Sequence, residues 1–155
     1  MKEVTGDLWE IAVTALADAV VITTNGSVKN DGTAVMGRGV AYEAKIRWPS
    51  LPGILGARIK GVGNQLHHLG FVALPPINIR LLAFPVKRWF WEKADPVLIT
   101  QSLRELVALA DDLCLGRVVL PRPGCGNGKL RWEEDVRPLL ESTLDDRFVV
   151  VNNGQ

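Results

Sequence analysis

The chain has 155 residues, 47% of them hydrophobic, and 18 Lys and Arg against 17 Asp and Glu leave a net charge of +1, which suits one domain, 1–155, with a sizeable core. That balance argues against a dedicated, sequence-nonspecific duplex binder, which is usually strongly basic. The two cysteines cannot build a disulfide framework, no run nears the roughly 18 apolar residues of a membrane span, and Met1 to Gly6 lacks a signal peptide's apolar stretch, so a cytoplasmic monomer away from membranes is expected.

In chain order, Met1 to Trp9 reads as holding a short strand and Glu10 to Ala17 as a weak helix or loop. Ala19 to Thr24 is an apolar, β-branched run and predicts a buried strand. A glycine loop from Asn25 to Gly39 follows, then a helical pattern from Val40 to Trp48 that Pro49 ends. Ser50 to Gly61 is a glycine-dotted helical stretch, and Asn64 to Leu69 reads as a loop. Gly70 to Leu74 and Ile77 to Phe84 are β-rich, with Pro75 and Pro76 marking a hairpin or bulge between them. Asp95 and Pro96 have the chemistry of an N-cap and a first helical residue, opening a helix to about Asp112. Gly116 to Leu120 predicts a short strand, a second glycine loop follows, and Trp132 to Leu144 predicts a helix with Val136, Leu139, Leu140 and Leu144 on one face. Arg147 to Val151 closes the chain as a strand. Strands alternating with helices, plus one local β pair, imply a mixed sheet between two helical layers.

The two glycine loops carry the chemistry. Each lies between a strand and a helix, so both are expected at the carboxyl edge of one sheet, where open α/β folds bind ligands. Glycines without Cβ atoms let backbone N–H groups approach an anion closely, and two such loops suit a diphosphate held from both sides. Neither loop fits a common nucleotide fingerprint. Gly128 and Lys129 are followed by Leu130 instead of Ser or Thr, and Pro123 stands where a P-loop has its first glycine. Gly37 and Gly39 lack the third glycine and the acidic ribose ligand of a dinucleotide fold.

The ordered set resembles the macro domain, an ADP-ribose-binding α/β module, over nearly the whole chain. Gly6, Asp7 and Leu8 look like the family's adenine-recognising element, and Val20 to Asn25 like the strand whose terminal Asn25 holds the distal ribose. Met36, Gly37, Arg38, Gly39 and Val40 look like the first diphosphate loop, and Gly124, Cys125, Gly126, Asn127 and Gly128 like the second. Phe84 to Arg88, the second loop and Leu130 to Trp132 are most similar to the branch of terminal ADP-ribose protein glycohydrolases and DarG-type antitoxins that strip ADP-ribose from DNA. The resemblance implies a three-layer α/β/α macro domain with a mixed central sheet, ADP-ribose as ligand or product, no separate cofactor and no metal.

It also implies that Lys87 is catalytic at the anomeric carbon bearing the modified group. An amine whose pKa is lowered by burial or a neighbouring cation can attack such a carbon, and Arg80 and Arg88 are the candidates for that cation. The protein-directed enzymes of the branch carry an aspartate where this chain aligns Gly128, so the resemblance favours ADP-ribosylated single-stranded DNA or another nucleic acid as substrate, with an ADP-ribosyltransferase toxin as partner. A non-catalytic ADP-ribose reader and an ADP-ribose 1″-phosphate phosphatase are the alternatives.

Ordinary roles suffice for most other eye-catching residues. His67 and His68 are adjacent and point apart, a poor chelating pair. Cys125 has no evident histidine base and reads as a small packing residue. Asp31 reads as a turn residue more readily than as a substitute carboxylate. Trp89, Phe90 and Trp91 lie among Arg80, Lys87, Arg88 and Lys93 against Glu92 alone, the pattern of a single-stranded nucleic acid platform, unless the rings belong to the core.

Overall fold

A computed structural model describes residues 1–154. It contains the strands β1 (Lys2–Thr5), β2 (Ala19–Asn25), β3 (His67–Leu74), β4 (Ile77–Lys87), β5 (Val118–Pro121) and β6 (Phe148–Asn152). The helices are α1 (Leu8–Thr14), α2 (Gly39–Arg47), α3 (Leu51–Val62), α4 (Pro96–Asp112) and α5 (Arg137–Glu141), the last preceded by a π-helical turn over Trp132–Val136. The strands form one sheet in the order β1-β6-β5-β2-β4-β3. Every neighbouring pair is parallel except β3 with β4.

Alternation along the central strands builds the layers, because successive side chains point to opposite faces. Val20 and Ile22 of β2 pack with Leu8, Trp9, Ala12, Ala44 and Leu55 from α1, α2 and α3. Ala19 and Val21 face the other way, with Ile99, Leu103 and Leu106 of α4 and Leu140 of α5. The result is the expected α/β/α sandwich around a mixed sheet. Among the described residues no helix is long and apolar enough to cross a membrane.

Three boundaries differ from the sequence reading. The helix expected from Glu10 begins at Leu8, after the short strand, because Asp7 caps it there, its carboxylate accepting from the Glu10 N–H at 3.0 Å. The segment read as a loop up to Leu69 is β3 from His67 onward; a register shift between His68 and Phe71 around Gly70, at φ +100°, hides the strand's alternation. The single helix expected from Trp132 to Leu144 is a π turn joined to a short α5. Pro138 explains this, since it has no N–H to donate back to Glu134 and the ladder widens so that the Arg137 N–H reaches the Trp132 carbonyl instead.

β2, β4, β5 and β6 run parallel and end at one edge, at Asn25, Lys87, Pro121 and Asn152. Asn25 and Lys87 are register partners across β2 and β4, beside an irregularity at Thr24 and Asn25.

Candidate active site

A cavity of about 1470 Å³ lies over these strand ends, larger than the roughly 300–1,000 Å³ of ordinary small-molecule sites. Its wall contains Lys87 and each residue singled out for ligand contact except Asp7, whose neighbour Leu8 is in it. Asp7 is exposed, and one of its carboxylate oxygens is engaged in capping α1.

Asn25 ends β2 with its amide turned to the first loop, Nδ2 donating to the Val35 carbonyl at 3.1 Å and Oδ1 accepting from the Ser27 N–H at 2.9 Å. The side chain therefore fixes both ends of the bend that leads to Met36 and Gly37. The two loops meet over the cavity, where a Cβ on Gly39 would lie 3.4 Å from the Asn127 amide nitrogen.

The glycines of the loops fall into two kinds. Gly128 is buried, and a Cβ there would sit 2.5 Å from the Gly124 carbonyl oxygen and 2.7 Å from Ala94 Cβ. In this chain a side chain at that position requires the Gly124 backbone and Ala94 to shift. Gly37 and Gly126, one on each loop, are exposed, and a Cβ on either meets nothing within 4 Å. Nothing in the folded chain requires glycine at these two, and both face the cavity.

Lys87 is the last residue of β4, half-buried in the wall, with its carbonyl accepting from Asn64 Nδ2 at 3.2 Å. Burial pushes its pKa below the ordinary lysine value, and the charges of Arg38 and Lys129 push it further, against a smaller opposing pull from Glu92. The expected cations, Arg80 and Arg88, are not the ones that do this. Arg80 lies against the Phe71 ring and bonds His68 Nε2, and Arg88 covers the Trp89 ring at 5.5 Å. The cations that act on Lys87, Arg38 and Lys129, come instead from the two glycine-loop segments.

Cys125 is no nucleophile: burial raises its thiol to about 11, and Sγ lies 3.6 Å from the Pro123 carbonyl. Asp31 accepts from the Thr33 N–H and hydroxyl at 3.0 and 2.7 Å and does not line the cavity, as a turn residue should. His67 pairs with the Gly63 carbonyl at 2.8 Å while His68 turns to Arg80, so the two do not converge.

Arg122 was not singled out from the sequence, and Trp132 only as the end of the motif that begins at Leu130, yet both line the cavity. The Arg122 guanidinium lies 4.6 Å from the Trp132 ring centre, and the indole N–H donates to Glu3 at 3.2 Å, whose other oxygen takes Arg137 at 2.8 Å. Their available signal was position, since Arg122 follows directly on the end of β5.

Residues 88–95 form a strap that contributes Phe90, Trp91, Glu92 and Lys93 to the cavity wall and is bonded to both loops. Gly26 N–H donates to the Arg88 carbonyl at 2.9 Å, Phe90 N–H to Ser27 Oγ at 3.0 Å, and Ala94 N–H to the Gly128 carbonyl at 2.9 Å. Trp89, Phe90 and Trp91 on this strap are 40%, 52% and 67% exposed, so they are not core.

Neither a protein-family model nor a curated protein sequence matches the chain. Solved structures do. The macrodomain of Mycobacterium tuberculosis DarG aligns over 99% of this chain and 97% of its own, at 23% identity and a TM-score of 0.76. The macrodomain of Thermus aquaticus DarG aligns over 98% and 97%, at 25% identity and 0.72. Thermosipho africanus DarTG, solved in complex with ADP-ribose, aligns over 97% of this chain but 41% of its own length, at 19% identity and 0.76. With the layered mixed sheet and two glycine loops over the strand ends, these similarities establish that the chain has the macrodomain fold.

Proposed function

We propose that this chain binds ADP-ribose between its two glycine loops and hydrolyses ADP-ribosyl groups from nucleic acid, with Lys87 as the catalytic amine. The observation that carries this is the half-buried Lys87 amine, flanked by Arg38 and Lys129, in the same cavity wall as Gly37 and Gly126. Two glycines that the fold does not need are accounted for by backbone N–H groups approaching a diphosphate, and the flanking cations suit the same anion. The solved DarTG complex with ADP-ribose supports this ligand.

In the proposed reaction the neutral Nζ attacks the anomeric carbon as the bond from that carbon to the base nitrogen breaks. The electron pair leaves on the base, which takes the proton the attacking nitrogen sheds. Water then adds to the anomeric carbon and returns the amine, so the sum is substrate plus water to ADP-ribose plus unmodified base. Burial and the cations beside Lys87 shift it toward its uncharged, nucleophilic form. No carboxylate enters from position 128, where Gly128 packs against the Gly124 carbonyl and Ala94. That supports a nucleic acid substrate over the protein-directed chemistry, which uses an aspartate there. A cognate ADP-ribosyltransferase toxin and a cytoplasmic setting belong to the same reading.

The test is turnover of an ADP-ribosylated single-stranded oligonucleotide. Lys87→Ala should abolish release while ADP-ribose affinity by calorimetry stays within about threefold, the signature of an interaction made only in the transition state. A reader binds without releasing anything, and a phosphatase frees inorganic phosphate from ADP-ribose 1″-phosphate; either result with no glycohydrolysis overturns the assignment.

A further inference from the structure

We propose that the strap over residues 88–95 is a stacking platform for the unmodified bases that flank the ADP-ribosylated nucleotide, so that the enzyme acts on single strands. This rests on the nucleic acid reading above and adds a separate binding element to it.

Trp89 and Trp91 are stacked, with ring centres 5.4 Å apart and planes 7° from parallel, and Phe90 meets Trp91 edge-on at 5.2 Å. Three adjacent aromatic residues at 40–67% exposure form the kind of surface patch that marks an interaction site. The patch is built, not frayed: the strap is bonded to both glycine loops at Arg88, Phe90 and Ala94, and within itself Trp89 N–H donates to Glu92 at 2.9 Å. Charge identifies the occupant. The cavity wall holds the cations Arg38, Lys87, Lys93, Arg122 and Lys129 against the carboxylates Glu43 and Glu92, although the whole chain is nearly neutral. Arg88 adds a further cation directly on the Trp89 ring. Aromatic faces set among cations match alternating bases and phosphates, whereas an apolar protein partner gains nothing from the cations. The cavity's size fits the same conclusion, since its volume exceeds an ordinary ligand site and Phe90 and Trp91 line it together with Lys87. A duplex hides base faces inside its stack, so only a single strand can use this surface.

The experiment compares wild type, Trp91→Ala and Trp91→Phe on three probes: an ADP-ribosylated mononucleotide, an ADP-ribosylated decanucleotide, and the same decanucleotide unmodified. Loss of one stacked base corresponds to roughly a five- to hundredfold weaker interaction. Trp91→Ala should therefore raise KM for the modified decanucleotide by that factor, raise KM for the mononucleotide by far less, and abolish the tryptophan quenching produced by the unmodified strand. Trp91→Phe should restore most of the loss. The wild type should act poorly once the decanucleotide is annealed to its complement. Equal effects of Trp91→Ala on mononucleotide and decanucleotide, or equal turnover of single and double strands, overturn the platform. If no nucleotide substrate is turned over yet the unmodified strand still quenches wild type and not Trp91→Ala, the hydrolase reading fails and the platform stands. Turnover with no quenching fails the platform alone. Selective turnover of an ADP-ribosylated peptide, dependent on Trp91, makes the surface a protein-docking site and overturns it as well.

Discussion

Gly126 and Gly128 stand two residues apart in one loop, and substituting them should produce opposite phenotypes. At Gly128 an alanine Cβ meets the Gly124 carbonyl oxygen at 2.5 Å and the Ala94 methyl at 2.7 Å, one a backbone atom and the other fixed rigidly to the backbone, so neither can swing aside as a long side chain would. Overpacking of this kind costs about 1–3 kcal/mol, which for a domain of this size lowers Tm by roughly 2–12 °C. At Gly126 even a valine Cβ meets nothing within 4 Å, so Gly126→Val should hold stability to within about 0.5 kcal/mol. Its side chain would stand in the cavity where a diphosphate needs bare backbone, so ADP-ribose affinity should fall at least tenfold. Differential scanning fluorimetry and titration calorimetry on the two variants read both quantities. A Gly128→Ala protein as stable as wild type would refute the close approach of the strap to the loop. A stable Gly126→Val protein with unchanged affinity would remove the second loop from the ligand site.

Asp7→Ala should lose about 1.5–3 kcal/mol of ADP-ribose affinity if the carboxylate bonds the adenine amino group, and about 1 kcal/mol of stability as a lost cap; Asp7→Ser, which keeps a capping oxygen, should separate the two in calorimetry and thermal melts. The rate of glycohydrolysis should rise with pH through the lowered pKa of Lys87, and Arg38→Ala or Lys129→Ala, each removing one charge that depresses it, should move that limb to higher pH in a kcat profile. The same depression means that folding disfavours the charged amine, so Lys87 costs stability below its folded pKa and the cost fades as pH nears about 10.4, the ordinary lysine value. Lys87→Met should accordingly melt higher than wild type at pH 7, with the gain shrinking in alkali. Alkylation near pH 8 followed by mass spectrometry should modify exposed Cys114 and spare Cys125, whose thiol is held near 11; prompt labelling of Cys125 would contradict its burial.

The apolar runs at Ala19 to Thr24 and Ile77 to Phe84, and the strand-loop-helix spacing around each glycine loop, made the sheet and the location of the site readable from sequence, because burial writes itself into periodicity. What escaped was local geometry that periodicity averages out. The turn at Gly70 interrupts the alternation of β3, and Pro138 splits a stretch whose apolar spacing still looks helical. The cations beside Lys87 escaped for another reason: Arg38 and Lys129 are distant in sequence and converge only when the loops close over the strand ends, whereas Arg88 is adjacent in sequence and turned away to Trp89. Glycine content alone likewise could not separate Gly128, held by packing, from Gly126, which is free of it.

The site draws on the ends of β2, β4, β5 and β6, and the pairings that align them are long in sequence: Ala19 with Val118, Val118 with Phe148, and Lys2 with Val149. No short stretch of chain holds even half of the cavity wall, so no fragment should retain a weakened version of it. Parallel strands joined by crossovers must wait for distant contacts before they are stabilised, and the wall is complete only when β6 has docked between β1 and β5. Recovery of ligand binding during refolding therefore reports the last event of assembly. It should not precede the return of helical circular dichroism.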